Sequence, residues 1–183
     1  MDPCQRAFDK PKLFVHGLVV DRSCRELLYI HTKPLFAHQK ARLKLYGLSA
    51  HTNIGLLARQ ADEFDPKFLV VTDKESYQKF KGDYPSLAER LLDFEAGAEF
   101  LSSMPDVDIV LNAIVGAAGL KASLATVRAG KRLALANKES MVIGGPLIND
   151  IIRQTGAELI PVDSEHSAIW QALHCGKKNE IRK

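Results

Sequence analysis

Cysteine is scarce in this chain of 183 residues. Cys4, Cys24 and Cys175 are too few and too irregularly spaced for a disulfide framework or a zinc site, so a reducing, cytoplasmic setting is expected. Long apolar runs are absent too. A bilayer span needs about 18 consecutive apolar residues. The best stretch, "LFVHGLVV" at 13–20, is short and broken by His16 and Gly17, which also makes a poor secretory signal. Basic clusters are lacking after Lys44. Residues 1–44 carry nine Lys and Arg against four Asp and Glu, whereas residues 45–183 carry sixteen against eighteen. A mildly acidic body without a basic stripe argues against a nucleic-acid surface. No internal repeat or low-complexity segment is found, and His166 and His174 do not have zinc-motif spacing.

What is present is the composition of a soluble globular protein, 46% hydrophobic and 26% charged, enough to bury a core in one domain or slightly more. From Lys44 onward, short apolar or β-branched runs alternate with segments of 3.6 period, the mark of βαβ units and a parallel sheet. The expected strands are "LYGLS" (45–49), "FLVVT" (68–72), "VDIVLNAI" (107–114), "RLALA" (132–136) and "AELIP" (157–161). Between them, Asn53 can cap a helix that repeats through Ile54, Leu57, Ala58, Ala61 and Phe64 and ends at Asp65-Pro66. A second helix is expected over 120–129, stopped by Gly130, and a third over 147–155, ended by Gly156. Residues 1–43 break the rhythm and read as an irregular leader.

Ligands of open parallel sheets sit beyond the carboxyl ends of the strands. Four places there carry candidate chemistry. His51, Thr52 and Asn53 follow the first strand at a helix start, where free N–H groups favour phosphate. No carboxylate stands there to hold a ribose and repel a 2′-phosphate, so the end leans toward NADP, with Ser49, Thr52 and Asn53 as possible donors; a plain Asn cap would look the same. "GAAG" at 116–119 allows a tight turn and a close approach of a flat ligand, but strand–helix packing needs the same small residues. "ANKES" at 136–140 puts Lys138 where it can bind a phosphate or carbonyl oxygen, or simply be a solvated helix-start lysine beside Glu139. Finally, in "PVDSEHSAIWQ" at 161–171, an extended segment would point Asp163 and Glu165 to one side, a pair suited to Mg²⁺ or Mn²⁺. Alternatively, Asp163 caps the next helix and Glu165 is a favourable first-turn charge.

"LNAIVGAAGL", "LALANKES" and "IPVDSEHSAIWQ", in this order and spacing, closely resemble the 1-deoxy-D-xylulose-5-phosphate reductoisomerase family, and "GLSAHTNIGLLARQADEFDPKFLVV" is a looser match; together they run from about Lys44 to Leu173. The resemblance implies an α/β fold: an incomplete, Rossmann-like NADPH-binding domain over 44–161 lacking its first strand, then the start of a catalytic domain over 162–183, after a leader of residues 1–43. It implies a homodimer, a phosphosugar substrate, NADPH and a Mg²⁺ or Mn²⁺ ion. Carried over by motif, Asp163 and Glu165 are metal ligands, and Lys138, Ser164 and Glu165 contact the substrate, with Lys138 and Glu165 catalytic. His51, Thr52, Asn53, Asn137 and Glu139 are similar to cofactor contacts. Two departures stand out. The family's opening strand and GSTGSIG phosphate loop have no counterpart in residues 1–43, and the chain stops at Lys183, before the family's remaining metal ligand, most phosphate contacts and lid. An inactive or non-catalytic fragment is therefore expected. A homoserine-dehydrogenase-like NADP oxidoreductase also has an Asn-Lys after a strand, but it leaves "DSEHSAIWQ" unexplained.

Overall fold

A computed structural model describes residues 45–175; the expected leader of residues 1–43, with Cys4 and Cys24, lies outside the described residues, as do residues 176–183 of the expected catalytic segment. The elements alternate along the chain. They are β1 (Gly47–Ala50), α1 (Ile54–Phe64), β2 (Phe68–Val71), α2 (Lys74–Asp83), α3 (Pro85–Ala88) and α4 (Gly97–Ser103). After these come β3 (Ile109–Asn112), a 3₁₀ turn (Gly116–Ala118), α5 (Gly119–Arg128), β4 (Arg132–Leu135), α6 (Lys138–Thr155), β5 (Glu158–Pro161) and α7 (Ser164–Cys175).

All the strand pairs are parallel. β1 pairs with β2 in the register Gly47 with Phe68, while β3, β4 and β5 pair in that order, with Leu111 opposite Ala134 and Leu135 opposite Pro161. Among the described residues no strand hydrogen-bonds β1 to β3, so the ladder has two parts. The core nevertheless runs across both. Alternate strand residues face opposite sides. Leu48, Leu69, Val71 and Leu111 join one apolar cluster with Leu57, Ala61 and Phe80. Val70 and Val110 join another with Leu101. Leu133 and Leu135 pack with Val127 and Ile148. Thus α1 and α2 cover one face, and α4, α5 and α6 cover the other, the α/β architecture expected from the alternating pattern.

α1 begins and ends where its sequence dictates. Asn53 Oδ1 accepts from Leu56 N at 3.2 Å, and Asp65 closes the helix in the left-handed region at φ 47°. α6 differs from expectation. It starts at Lys138 rather than 147 and runs through Gly144-Gly145-Pro146. Those residues do not break it, for two reasons. A Cβ on Gly144 would lie 2.6 Å from Leu120 Cδ1, so this glycine allows close α5–α6 packing. Pro146 and Val142, whose carbonyl loses its helical partner, are both exposed, and that carbonyl can turn to water. α2 and α4 were not anticipated, because each offers few buried apolar residues; α2 buries only Phe80.

Candidate active site at the carboxyl ends of the strands

Because the strands are parallel, the residues that follow them gather at one end of the sheet. The ladder carries on past the strands there: Ala136 N donates to Asn112 O at 2.9 Å, and Val162 N to Leu135 O at 3.0 Å. The segment holding Lys138 is thereby set beside that holding Asp163, Ser164 and Glu165.

At the β1 end, His51 and Thr52 are exposed and Asn53 half-buried. His51 Nδ1 lies 3.1 Å from Thr72 Oγ1, beyond the neighbouring β2. Ser49, by contrast, is fully buried inside the sheet with an unpartnered hydroxyl, so it cannot donate to a 2′-phosphate. The carboxylate after β2, Asp73, is committed elsewhere: it caps α2, accepting from Ser76 N at 2.8 Å. This bond, and then the nearby His51, hold its carboxyl below the ordinary range.

At the β4 end, Asn137 is buried and caps α6, its Oδ1 accepting from Ser140 N at 2.6 Å. Its Nδ2 donates to Ile114 O and, at 2.9 Å, to Gly116 O. Both ends of the amide are thus engaged within the protein, and Asn137 ties the "GAAG" loop to the start of α6. Lys138 is exposed and Glu139 half-buried in the first turn of α6.

At the β5 end the chain turns into α7 at Ser164 rather than staying extended. Strand alternation is therefore not what brings Asp163 and Glu165 together. Instead, Asp163 O accepts the helical bond from Ser167 N at 2.8 Å and Glu165 lies in the first turn, so both carboxylates stand at the start of α7. The neighbouring Glu165 side chain, and after it His166, hold the Asp163 carboxyl below its ordinary range. His166 Nδ1 lies 3.1 Å from Asp163 Oδ1, and Ser164 Oγ donates to Glu165 Oε2 at 2.8 Å. The pair offers hard oxygen donors at a solvent-facing position, the chemistry a small divalent cation requires. Among the described residues no group of three or more His, Cys, Asp or Glu is gathered for a metal.

Fold and site together define a Rossmann-like α/β domain whose candidate ligand groups line the carboxyl ends of its parallel strands. The chain belongs to the 1-deoxy-D-xylulose 5-phosphate reductoisomerase family, whose sequence model matches residues 31–145. That match begins upstream of the boundary expected at 44 and ends before "PVDSEHSAIWQ". The enzyme of that name from Oleidesulfovibrio alaskensis is 42% identical over 146 residues, covering 79% of this chain and 36% of its own. The Zymomonas mobilis reductoisomerase, solved with NADPH, superposes with TM-score 0.76 at 33% identity, over 94% of this chain and 43% of its own. A reductoisomerase structure with magnesium gives TM-score 0.79 at 31% identity, over 90% of this chain and 40% of its own. The chain spans about a third of the length of the curated relatives it matches. These findings do not favour the homoserine-dehydrogenase-like alternative. No helix among the described residues is long and apolar enough to cross a membrane.

Proposed function

We propose that this chain contributes the cofactor domain and part of the metal site of an enzyme that isomerises and reduces 1-deoxy-D-xylulose 5-phosphate to 2-C-methyl-D-erythritol 4-phosphate with NADPH and Mg²⁺ or Mn²⁺. The observation that supports this reading is the adjacency of the β4 and β5 ends, from which the chain segments carrying Lys138 and the Asp163–Glu165 pair start. Asp163 and Glu165 hold the divalent ion and Ser164 the substrate. When bound, the ion polarises substrate oxygens and NADPH supplies hydride. Lys138 orients an anionic or carbonyl oxygen of the substrate through its ammonium. His51, Thr52 and Asn53 take the 2′-phosphate side of the cofactor, while Asn137 and Glu139 serve the end near the substrate. The domain boundaries at 44 and 162, a homodimeric assembly and a cytoplasmic setting belong to the same reading.

The test is NADPH oxidation in the presence of 1-deoxy-D-xylulose 5-phosphate and Mn²⁺, together with titrations of NADPH and NADH. Tighter binding of NADH than of NADPH would defeat the cofactor assignment. As two carboxylates fix a catalytic metal only loosely, turnover by the 183-residue polypeptide alone is expected to be negligible. Robust turnover would show that these residues suffice.

A further inference from the structure

Asn112, at the end of β3, is fully buried, and its amide is spent entirely on the loop that follows. Nδ2 donates to Gly119 O at 2.6 Å and to Ser123 Oγ at 2.7 Å, while Oδ1 accepts from Ile114 N at 3.1 Å. Asn137 grips the same loop from the β4 side through Ile114 O and Gly116 O. An asparagine amide has two N–H donors, and here both are used on each residue, so neither amide can turn over without stranding a buried group. The two meet around Gly119. A Cβ there would lie 2.8 Å from Asn137 Nδ2 and 3.1 Å from Asn112 Oδ1.

Stranding a buried polar group is costly, whereas a saturated network adds little over apolar packing; what it supplies is a single backbone path. The path fixed here carries Gly116 at φ 76° and leaves Val115, Ala117 and Ala118 exposed. These small apolar side chains face solvent, and the turn that carries Ala117 and Ala118 packs against α6. We infer that Asn112, anchored by Ser123, is a positioning residue that fixes this loop as the seat of the cofactor. The inference rests on the proposed NADPH reading and adds to it two residues that touch neither cofactor nor substrate.

The experiment compares the 183-residue protein with Ser123→Ala, Asn112→Asp and, as a control in the same helix, Thr126→Val, which removes a buried hydroxyl bonded only to Ala122 O at 2.7 Å. Amide hydrogen exchange at Ile114 reports the loop, NADPH fluorescence reports affinity, and circular dichroism confirms folding at the working temperature. Ser123→Ala and Asn112→Asp are expected to speed exchange at Ile114 and weaken NADPH by about 5- to 50-fold. Thr126→Val lowers the melting temperature and changes neither. Should Asn112→Asp fail to fold, Ser123→Ala decides alone. Unchanged affinity in the folded variants, or equal weakening by Thr126→Val, would overturn the inference. A parent protein that protects Ile114 yet binds no NADPH would instead defeat the cofactor reading, and the positioning role with it, leaving the two asparagines as a purely structural clamp.

Discussion

Asp73 shows how one side chain joins two elements. Its carboxylate caps α2 through Ser76 N and stands near His51 at the β1 end. Its carboxyl is held below the ordinary 3.8, so the stability it gives is fully present above that value and is lost as pH falls through the lower, folded value. Asp73→Asn keeps a good capping residue but removes the titration. The variant is therefore expected to lose less melting temperature between pH 5 and pH 3, roughly the span around an ordinary carboxyl, than the parent. Thermal melts across that range check it, and identical slopes would mean that Asp73 does not contribute to acid unfolding. Lys131 presents the opposite case at the other end of the sheet. It donates to Met104 O at 2.6 Å and to Val107 O, and burial pulls its ammonium below the ordinary value against the pull of Asp108 and Asp106. Removing that donor in Lys131→Met strands the Val107 carbonyl, while Met104 O keeps Val107 N at 3.0 Å, a loss of about 1–3 kcal/mol in urea denaturation.

At the scale of elements, α6 makes the sharpest prediction. Gly144 and Gly145 are adjacent and both buried, yet they are not equivalent. A Cβ on Gly145 meets only Met141 Cε at 3.6 Å, ordinary contact, so Gly145→Ala should gain the helix propensity of alanine, about 0.5–1 kcal/mol. A Cβ on Gly144 must displace Leu120 from the α5–α6 contact, so Gly144→Ala forfeits that gain. Side-by-side melts decide, and equal stabilisation would mean that the helices do not approach as described. The same helix shows where sequence reading stops. α1 was legible because its cap, apolar period and terminator are all local, and the strands were legible to within two residues for the same reason. Gly-Gly-Pro in α6 reads as a break because its purpose lies across the fold, at Leu120. The carboxyl-end positions were legible from the strands, and their candidate roles from the motif resemblance, whereas the hold of Asn112 and Asn137 on one loop was not legible, since a hydrogen-bond partner far along the chain leaves no periodic trace. For Asp163 and Glu165 the expected extended geometry does not hold: the chain enters α7 at Ser164, because Asp163 O accepts the first helical bond from Ser167 N.

For the molecule as a whole, the metal site proposed at the carboxyl end of the sheet depends on how firmly α7 is held. Mg²⁺ or Mn²⁺ takes about six oxygens, and Asp163 and Glu165 supply carboxylates from a solvent-facing helix start. Among the described residues no group of three or more His, Cys, Asp or Glu is gathered to hold a metal, so in the proposed site water, substrate or further groups complete the shell. α7, which carries Glu165, contributes no buried residue of its own, and Ile169 and Leu173 on it are exposed, so its packing holds the pair loosely. The 183-residue polypeptide should accordingly bind Mn²⁺ weakly and with fast exchange. Asp163→Asn or Glu165→Gln should each weaken it by roughly tenfold or more, and the double variant should abolish specific binding. Replacing His166 by Gln removes an interaction with Asp163 but no carboxylate, and so should cost less. Mn²⁺ electron paramagnetic resonance titrations distinguish free from bound ion directly. Binding in the double variant as tight as in the parent would place the metal elsewhere and remove the Asp163–Glu165 assignment, whatever the outcome for the cofactor.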